Sequence, residues 1–488
     1  MTSLSVYSSW HSNWSELRAV VYGVGVSGFS VADTLHELGS NLLVVADRID
    51  AEHQDLLDVL GIESKSGLTK TEFRNLVQDF QPDVIVAAPG IKPNDEILVW
   101  AASANVPIWG DIELAWRLRD KTDMVAEWIL ITGTNGKTTT TQLVEQILLT
   151  AGKRAIACGN IGTPILDAIR NPDGFEYLVV ELSSFQLHYI PRLEPLVSAI
   201  LNIAEDHLDW HGTFAEYKSA KAKIYEGAKR AIIYNVEDES TIELMKAADV
   251  ATEDTLAVGF TRGFPGDLQV GYVEESLIDR GFTAYRAKEL PEIANLADLE
   301  LIGVVTPHLK ANVAAATAIA RACDIAPDHI RKAIRGFKLD RHRIELVAIQ
   351  DDVAWVDDSK ATNAHAAEAS LQSFDSIVWV VGGLLKGVDI RPLISANSSR
   401  LKAAIVIGSD RTEVLDSLAE RATELLVVEI SEPDKNLVMQ RVVTAARNLA
   451  TAGDTVLLAP AAASMDQFKD YADRGSQFAA AVLGAKNG

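Results

Sequence analysis

The stretch WILITGTNGKTTTTQLVEQIL, Trp128–Leu148, decides how this chain is read. An apolar run enters a glycine turn and an amphipathic pattern leaves it, so a strand feeds a loop that opens a helix. The loop falls short of the strict phosphate-binding pattern G-x-x-x-x-G-K-[ST]. Counting back from Gly136-Lys137-Thr138, the first glycine belongs at Ile131, and the nearest upstream glycine is Gly133. The chemistry still fits. Gly133 and Gly136 let the backbone bend and aim its N–H groups at an anion. Lys137 would reach the β/γ-phosphates, and Thr138 would place a hydroxyl on Mg²⁺. The plain alternative is a helix N-terminus capped by threonines. A lysine inside the turn makes that alternative the weaker one.

The neighbouring strands strengthen the reading. VVELSSFQL ends a predicted strand at Glu181, and LNIAEDHLDWHG places Glu205, Asp206, His207 and Asp209 at the end of the next. Ligands of open parallel sheets sit at the carboxyl ends of strands. Lys137, Glu181 and His207 are therefore expected to converge, with Glu181 an oxygen ligand suited to Mg²⁺. A lone histidine is more often structural, but His207 has acids on both sides.

Upstream, RAVVYGVGVSGFSVADTLHELGSNLLVVAD carries Gly23-x-Gly25-x-x-Gly28 between a strand and a helix, with Asp47 ending the next strand. This is a dinucleotide fingerprint in its expected context. It fits an NAD site, another diphosphate at a helix N-terminus, or a turn without ligand. A third strand, DVIVAA, leads to Pro89-Gly90. Downstream of the central loop, YLVVEL, VSAILNI and RAIIYN read as strands. The stretch 250–300 reads as strands with turns, and NVAAATAIARACDI as a helix. From VAWVDD onward, SIVWVVGG, AAIVIG, LLVVEI and TVLLAP alternate with helical stretches as a second doubly wound sheet. The fold class is α/β. The expected domains are 1–121, 122–340 and 341–488.

The 488 residues suit three domains of about 150 each. A net charge of −23 argues against nucleic-acid or anionic-membrane partners, while a local basic cleft remains possible. Two cysteines, Cys158 and Cys323, have no metal spacing and fit a reducing compartment. No signal-peptide core or bilayer-length apolar run is visible, so a cytoplasmic protein is expected.

Together these motifs resemble the Mur ligases, ATP-dependent amino-acid ligases of peptidoglycan synthesis. That family uses a compressed loop, G-T-[NG]-G-K-[ST], which Gly133–Thr138 matches. DDSKATN (Asp357–Asn363), GGLLKGVD (Gly382–Asp389) and LAPAAASMDQFKDYADRGSQF (Leu458–Phe478) look like its D-glutamate-adding members. The resemblance implies a Rossmann-like domain for the UDP-sugar, a central P-loop-type ATPase domain with a mainly parallel sheet, and a C-terminal Rossmann-like domain for the amino acid.

It also implies site residues. ATP would meet Gly133, Thr134, Asn135, Gly136, Lys137, Thr138, Thr139, Asn312, Arg343 and Asp358. The UDP-sugar would meet Val26, Ser27, Gly28, Asp47, Arg48, Gly90 and Asn160, in place of NAD. D-Glutamate would meet Lys360, Thr362, Lys386, Ser464 and Tyr471. Two Mg²⁺ ions would be held by Thr138, Glu181, His207 and a carbamylated Lys221, with Lys223 the competing lysine. Lys137, His207, Lys221 and Glu181 would form the catalytic set. The implied substrates are UDP-N-acetylmuramoyl-L-alanine, D-glutamate and ATP, and a monomer is expected. HLKAN departs from the family's H-N-x-x-N, with Leu309 replacing the first asparagine. The rivals are a folylpolyglutamate-synthase-like ligase, an NAD(P) oxidoreductase and a non-catalytic nucleotide-binding protein. The third-segment motifs oppose the first, and the Lys137 loop with Glu181 and His207 opposes the others.

Overall fold

Apolar runs such as VVELS and IVWVV bury both faces, as parallel strands covered by helices must. In the computed structural model, which describes residues 4–282 and 291–484, these runs gather into three sheets.

The first sheet contains β1 (Arg18–Tyr22), β2 (Asn41–Ala46), β3 (Ser64–Ser66), β4 (Val84–Ala87) and β5 (Ile108–Trp109). Its order is β3-β2-β1-β4-β5, all parallel. The order reverses between β1 and β4, where open sheets bind ligands.

The central sheet contains β6 (Glu127–Thr132), β7 (Ala155–Gly159), β8 (Tyr177–Glu181), β9 (Val197–Ile200), β10 (Ala231–Asn235), β11 (Leu256–Phe260), β12 (Gln269–Val273), β13 (Ser276–Asp279) and β14 (Glu292–Asn295). Its order is β14-β13-β12-β11-β10-β9-β6-β8-β7. β6 lies between β8 and β9, so the loop it feeds stands beside both of their carboxyl ends. The stretch 250–300 supplies β11 to β14, with β13 antiparallel to both neighbours. Residues 283–290 of that stretch lie outside the described residues. The alanine-rich helix Pro307–Ala322 packs on this sheet and on the helix Lys137–Thr150, its small side chains permitting close approach.

The third sheet contains β15 (Glu345–Gln350), β16 (Val353–Asp357), β17 (Ile377–Gly382), β18 (Leu401–Ile407), β19 (Leu426–Glu429) and β20 (Thr455–Leu458). Its order is β15-β16-β20-β17-β18-β19, with only β15 antiparallel to its neighbour. Among the described residues no helix is long and apolar enough to cross a membrane.

Candidate active site

β6 is buried from Trp128 to Thr132 and delivers the chain into the glycine loop. A side chain at Gly133 would crowd Leu201 Cβ at 3.0 Å and Asn135 O at 3.1 Å. Gly136 has φ +82°, and a Cβ there would fall 2.3 Å from Asn312 Oδ1. Both glycines are thus dictated by geometry. Lys137 opens the helix and folds back, its Nζ donating to Gly133 O and Thr134 O at 2.9 Å each. Burial lowers its pKa, partly offset by the charges of Glu181 and Asp206. Asn202, just beyond β9, clamps the loop: its Oδ1 accepts from Asn135 N at 2.8 Å and its Nδ2 donates to Asn135 O at 3.0 Å. Thr134 Oγ1 pairs with Tyr217 Oη at 2.8 Å, and Thr138 and Thr139 are buried in the first turn of the helix.

Glu181 ends β8. Its Oε1 accepts from Asn160 Nδ2 at 2.8 Å, while Oε2 is buried without a partner. His207 has φ +54° and sets its ring edge-on to Phe185, 4.7 Å between centroids. Its Nε2 lies 3.6 Å from Asp206 Oδ2. Burial keeps the imidazole below its usual pKa despite Asp206, with Lys386, Lys137 and Lys221 acting in the same direction as burial.

Lys221, on the helix Phe214–Ala222, is 1% exposed. Its Nζ donates to Thr132 Oγ1 at 3.1 Å and to Gly133 O at 3.0 Å, the carbonyl that also accepts from Lys137. Burial, and then the Lys137 charge, push its pKa well below the ordinary lysine value. Lys223 instead donates to His188 O at 2.5 Å. Of the two candidate lysines, Lys221 alone joins the loop.

The third domain closes on this loop. Asn135 Nδ2 meets His365 Nδ1 at 2.9 Å, and Asn363 Nδ2 donates to Asn135 Oδ1 at 3.2 Å and Asp206 Oδ2 at 3.3 Å. The cleft between the domains is lined by Asn135, Gly136, Thr139, Asn312, Arg343 and Asp358, all from the expected ATP set, and by Lys360. Arg343 Nε is buried without a partner. Burial raises Asp358 to about 6, against a hydrogen bond from Ser370 and the Arg343 charge. Leu309 stands in the wall of this cleft, so the departure from the family motif gives an apolar contact there. Its side chain is buried, and its N–H is capped by Thr306 Oγ1 at 3.1 Å.

The residues expected around D-glutamate cluster less tightly. Lys360 Nζ lies 3.7 Å from Asp340 Oδ2 and 5.2 Å from the centroid of the Tyr471 ring. Burial, then Arg343, lower its pKa to about 8. Thr362 N donates to Lys360 O at 2.9 Å, Ser464 is buried after β20, and Lys386 takes φ +55° after β17. Sequence reasoning missed Arg474, which is fully buried and bonds Ser359 and Ala462. Its only signal was its place inside the quoted LAPAAAS…GSQF motif. It also missed the Asn363 and His365 contacts to the loop.

The UDP-sugar set is divided. Val26, Ser27 and Gly28 open the helix Val26–Glu37, and Gly28 packs so close that a Cβ would lie 2.0 Å from Gly23 O. Asp47, Arg48 and Gly90 lie in the segments that leave β2 and β4 at the same sheet edge, and Asp47 is paired with Lys70. Asn160 lies elsewhere, after β7 and against Glu181.

The donors around Glu181 suit a hard divalent cation. The orphaned Oε2 of Glu181, the hydroxyl of Thr138 in the first turn of the helix and the His207 ring, its pKa lowered by burial, offer oxygen and nitrogen ligands near a phosphate-type loop. The His/carboxylate group among the described residues whose atoms lie close enough together to hold a metal, His342, Glu345 and Asp357, is already satisfied internally. His342 Nδ1 meets Asp357 Oδ2 at 2.7 Å, and Glu345 accepts from His342 N at 2.8 Å.

Residues 131–320 match the family model described as the Mur ligase middle domain, and residues 342–462 the one described as the Mur ligase, glutamate ligase domain. A UDP-N-acetylmuramoylalanine–D-glutamate ligase of Leifsonia xyli subsp. xyli is 50% identical, covering 98% of this chain and 95% of that one. The enzyme of that name from Streptomyces avermitilis is 46% identical, covering 97% and 99%. Among solved structures, the UDP-N-acetylmuramate-alanine ligase of Thermotoga maritima superposes with a TM-score of 0.57 at 17% identity, covering 96% of this chain and 100% of that one. That likeness concerns the fold.

Proposed function

This chain belongs to the Mur ligase family, and from that premise we propose that it is an ATP-dependent ligase that joins D-glutamate to UDP-N-acetylmuramoyl-L-alanine in cytoplasmic peptidoglycan precursor synthesis. The observation that carries the reading is the shared cleft. Lys137 and Lys221 of the central domain bond the glycine loop, with the charge of Glu181 acting on both, and Arg343, Asp358 and Lys360 of the third domain line the cleft that opens on Asn135 and Gly136 of that loop.

A free carboxylate is a poor electrophile toward an amine. The γ-phosphoryl of ATP is therefore placed first on the L-alanine carboxylate, releasing ADP. The D-glutamate amine then attacks the acyl carbon, and the C–O bond to phosphate breaks. Phosphoryl transfer of this kind depends on positioning and charge neutralisation. The loop N–H groups and Lys137 orient the phosphates, and Asn312, Arg343 and Asp358 frame the rest of the nucleotide. Lys360 and Lys386 offer cations to the two carboxylates of D-glutamate, with Thr362, Ser464 and Tyr471 around them. Thr138, Glu181, His207 and a carbamylated Lys221 would hold two Mg²⁺ ions, which would supply charge neutralisation at the phosphates. The depressed pKa of Lys221 supports the modification, because carbon dioxide adds to the free amine. The domains 1–121, 122–340 and 341–488, acting as a monomer, complete the proposal.

The test is phosphate release from ATP with Mg²⁺ and UDP-N-acetylmuramoyl-L-alanine, comparing D-glutamate, L-glutamate, L-lysine, meso-diaminopimelate and no amino acid. Release that requires both the sugar nucleotide and D-glutamate is expected. Release with another amino acid overturns the choice of amino acid but keeps the ligase chemistry, and no release with any overturns the reading.

A further inference from the structure

A lysine that belongs to no sequence motif ties together the carboxyl edge of the first sheet. Lys70 opens the helix Lys70–Phe80, and its Nζ donates to Tyr22 Oη at 2.7 Å, Asp47 Oδ1 at 2.8 Å and Asp95 Oδ2 at 3.0 Å. All three ammonium protons are used. Burial works against the charge, but these hydrogen bonds outweigh it and raise the pKa above the ordinary lysine value.

The three partners surround the point where the strand order reverses. Tyr22 is the last residue of β1, from which the chain runs into Gly23–Gly28. Asp47 follows β2. Asp95 follows β4 and caps the helix Glu96–Ser103 by accepting from Ile97 N at 3.0 Å. The Asp47 side chain is 64% exposed, and Lys70 is the partner its carboxylate meets. Without the lysine, two carboxylates within reach of one ammonium would face each other beside the helix N-terminus at Val26. That field would oppose any diphosphate approaching the glycine turn.

We propose that Lys70 is a positioning residue for the nucleotide end of the sugar substrate: it fixes the Asp47 carboxylate toward the nucleoside and cancels the acidic field beside the diphosphate. This rests on the reading of the first domain as the UDP-sugar site. The Lys70–Asp47 pair is exposed on the Asp47 side and contributes little to stability by itself, while the bonds to Tyr22 and Asp95 are more enclosed, so melting temperature is read alongside ligand binding.

The test compares wild type, Lys70→Met and Lys70→Arg in the full chain. It reads KM and kcat for each substrate, melting temperature, and UDP binding by calorimetry at low and high salt. In Lys70→Met, KM for the sugar nucleotide and Kd for UDP are expected to rise about tenfold, the effect of losing one oriented charge-assisted hydrogen bond. The rise shrinks at high salt because the exposed charges are screened. The kcat and the KM values for ATP and D-glutamate hold, and Lys70→Arg recovers most of the affinity. UDP binding unchanged in Lys70→Met overturns the proposal. So does a loss confined to kcat and melting temperature, which marks a structural lysine. Wild-type protein that fails to bind UDP overturns the reading of the first domain itself, and is distinguishable because no variant is needed to see it.

Discussion

Replacing Arg474 with methionine tests whether one buried guanidinium holds the amino-acid pocket together. Arg474 is 0% exposed, yet it keeps its charge at neutral pH, because burial lowers its pKa only to about 10. Nε donates to Ser359 Oγ at 2.9 Å, Nη2 to Ser359 O at 2.8 Å and Nη1 to Ala462 O at 3.1 Å. These bonds join the loop after β16, which carries Lys360 and Thr362, to the loop after β20, which carries Ser464. Methionine fills much of the space and removes every donor. At about 1.5 kcal/mol net for each bond from a charged donor, the loss is about 4.5 kcal/mol. For a domain near 150 residues that lowers the melting midpoint by roughly 9–18 °C. Scanning calorimetry should show the third-domain transition moving down by that amount, with KM for D-glutamate raised and KM for ATP less affected. Arg474→Lys should fall between. A midpoint within about 2 °C of wild type, together with an unchanged KM for D-glutamate, would refute the reasoning.

The other predictions concern the chemistry. Lys137→Ala should abolish turnover while the far-ultraviolet dichroism stays native, and near-normal activity would remove the ATP-site assignment. Lys221→Ala should lose activity that added bicarbonate cannot restore, whereas Lys223→Ala, whose ammonium bonds His188 O, should remain active; the reverse pattern would reassign the modified lysine. Lys360 should impose a pH limit. Its folded pKa of about 8 lies below the ordinary lysine value, so the ammonium is lost as pH rises through 8. KM for D-glutamate should be flat below that pH and climb roughly tenfold per unit well above it. The limb should vanish in Lys360→Arg, and a flat profile to about pH 9.5 in wild type, roughly one and a half units past the pKa, would contradict it.

What the sequence disclosed depended on how local the signal was. The strand–loop–helix around Gly133 was legible because its glycines and lysine stand within a few positions, and Glu181 was legible as a strand end. His207, expected at the end of the next strand, instead lies well past Ile200, where β9 stops, and caps the helix Leu208–His211. The strands that escaped were of three kinds. β3 is a polar SKS, β5 has two residues, and β7 and β15 are only part-buried, so their side chains carry little alternation. The contacts that escaped join distant residues, as Asn135 does with His365 and Lys70 with Asp47 and Asp95. No local periodicity reports such a pairing.

The choice between Lys221 and Lys223 lies between these cases. Lys221 stands in the last turn of the helix Phe214–Ala222, whereas Lys223 is its C-cap and opens the turn Lys223–Tyr225, so the two side chains leave in different directions. Tyr217 precedes Lys221 by four residues and shares its face. Tyr217 Oη holds Thr134, and Lys221 Nζ holds Gly133 O. The buried face was thus written in the spacing YxxxK, but only the fold identifies what that face meets. The meeting has a chemical consequence. Two ammonium groups share the Gly133 carbonyl, and one carbonyl cannot neutralise both. Both lysines are depressed by burial, and Lys221, the more deeply buried of the pair, is lowered further by the Lys137 charge. The same crowding that lowers its pKa favours the unprotonated amine that the proposed carbamylation would require.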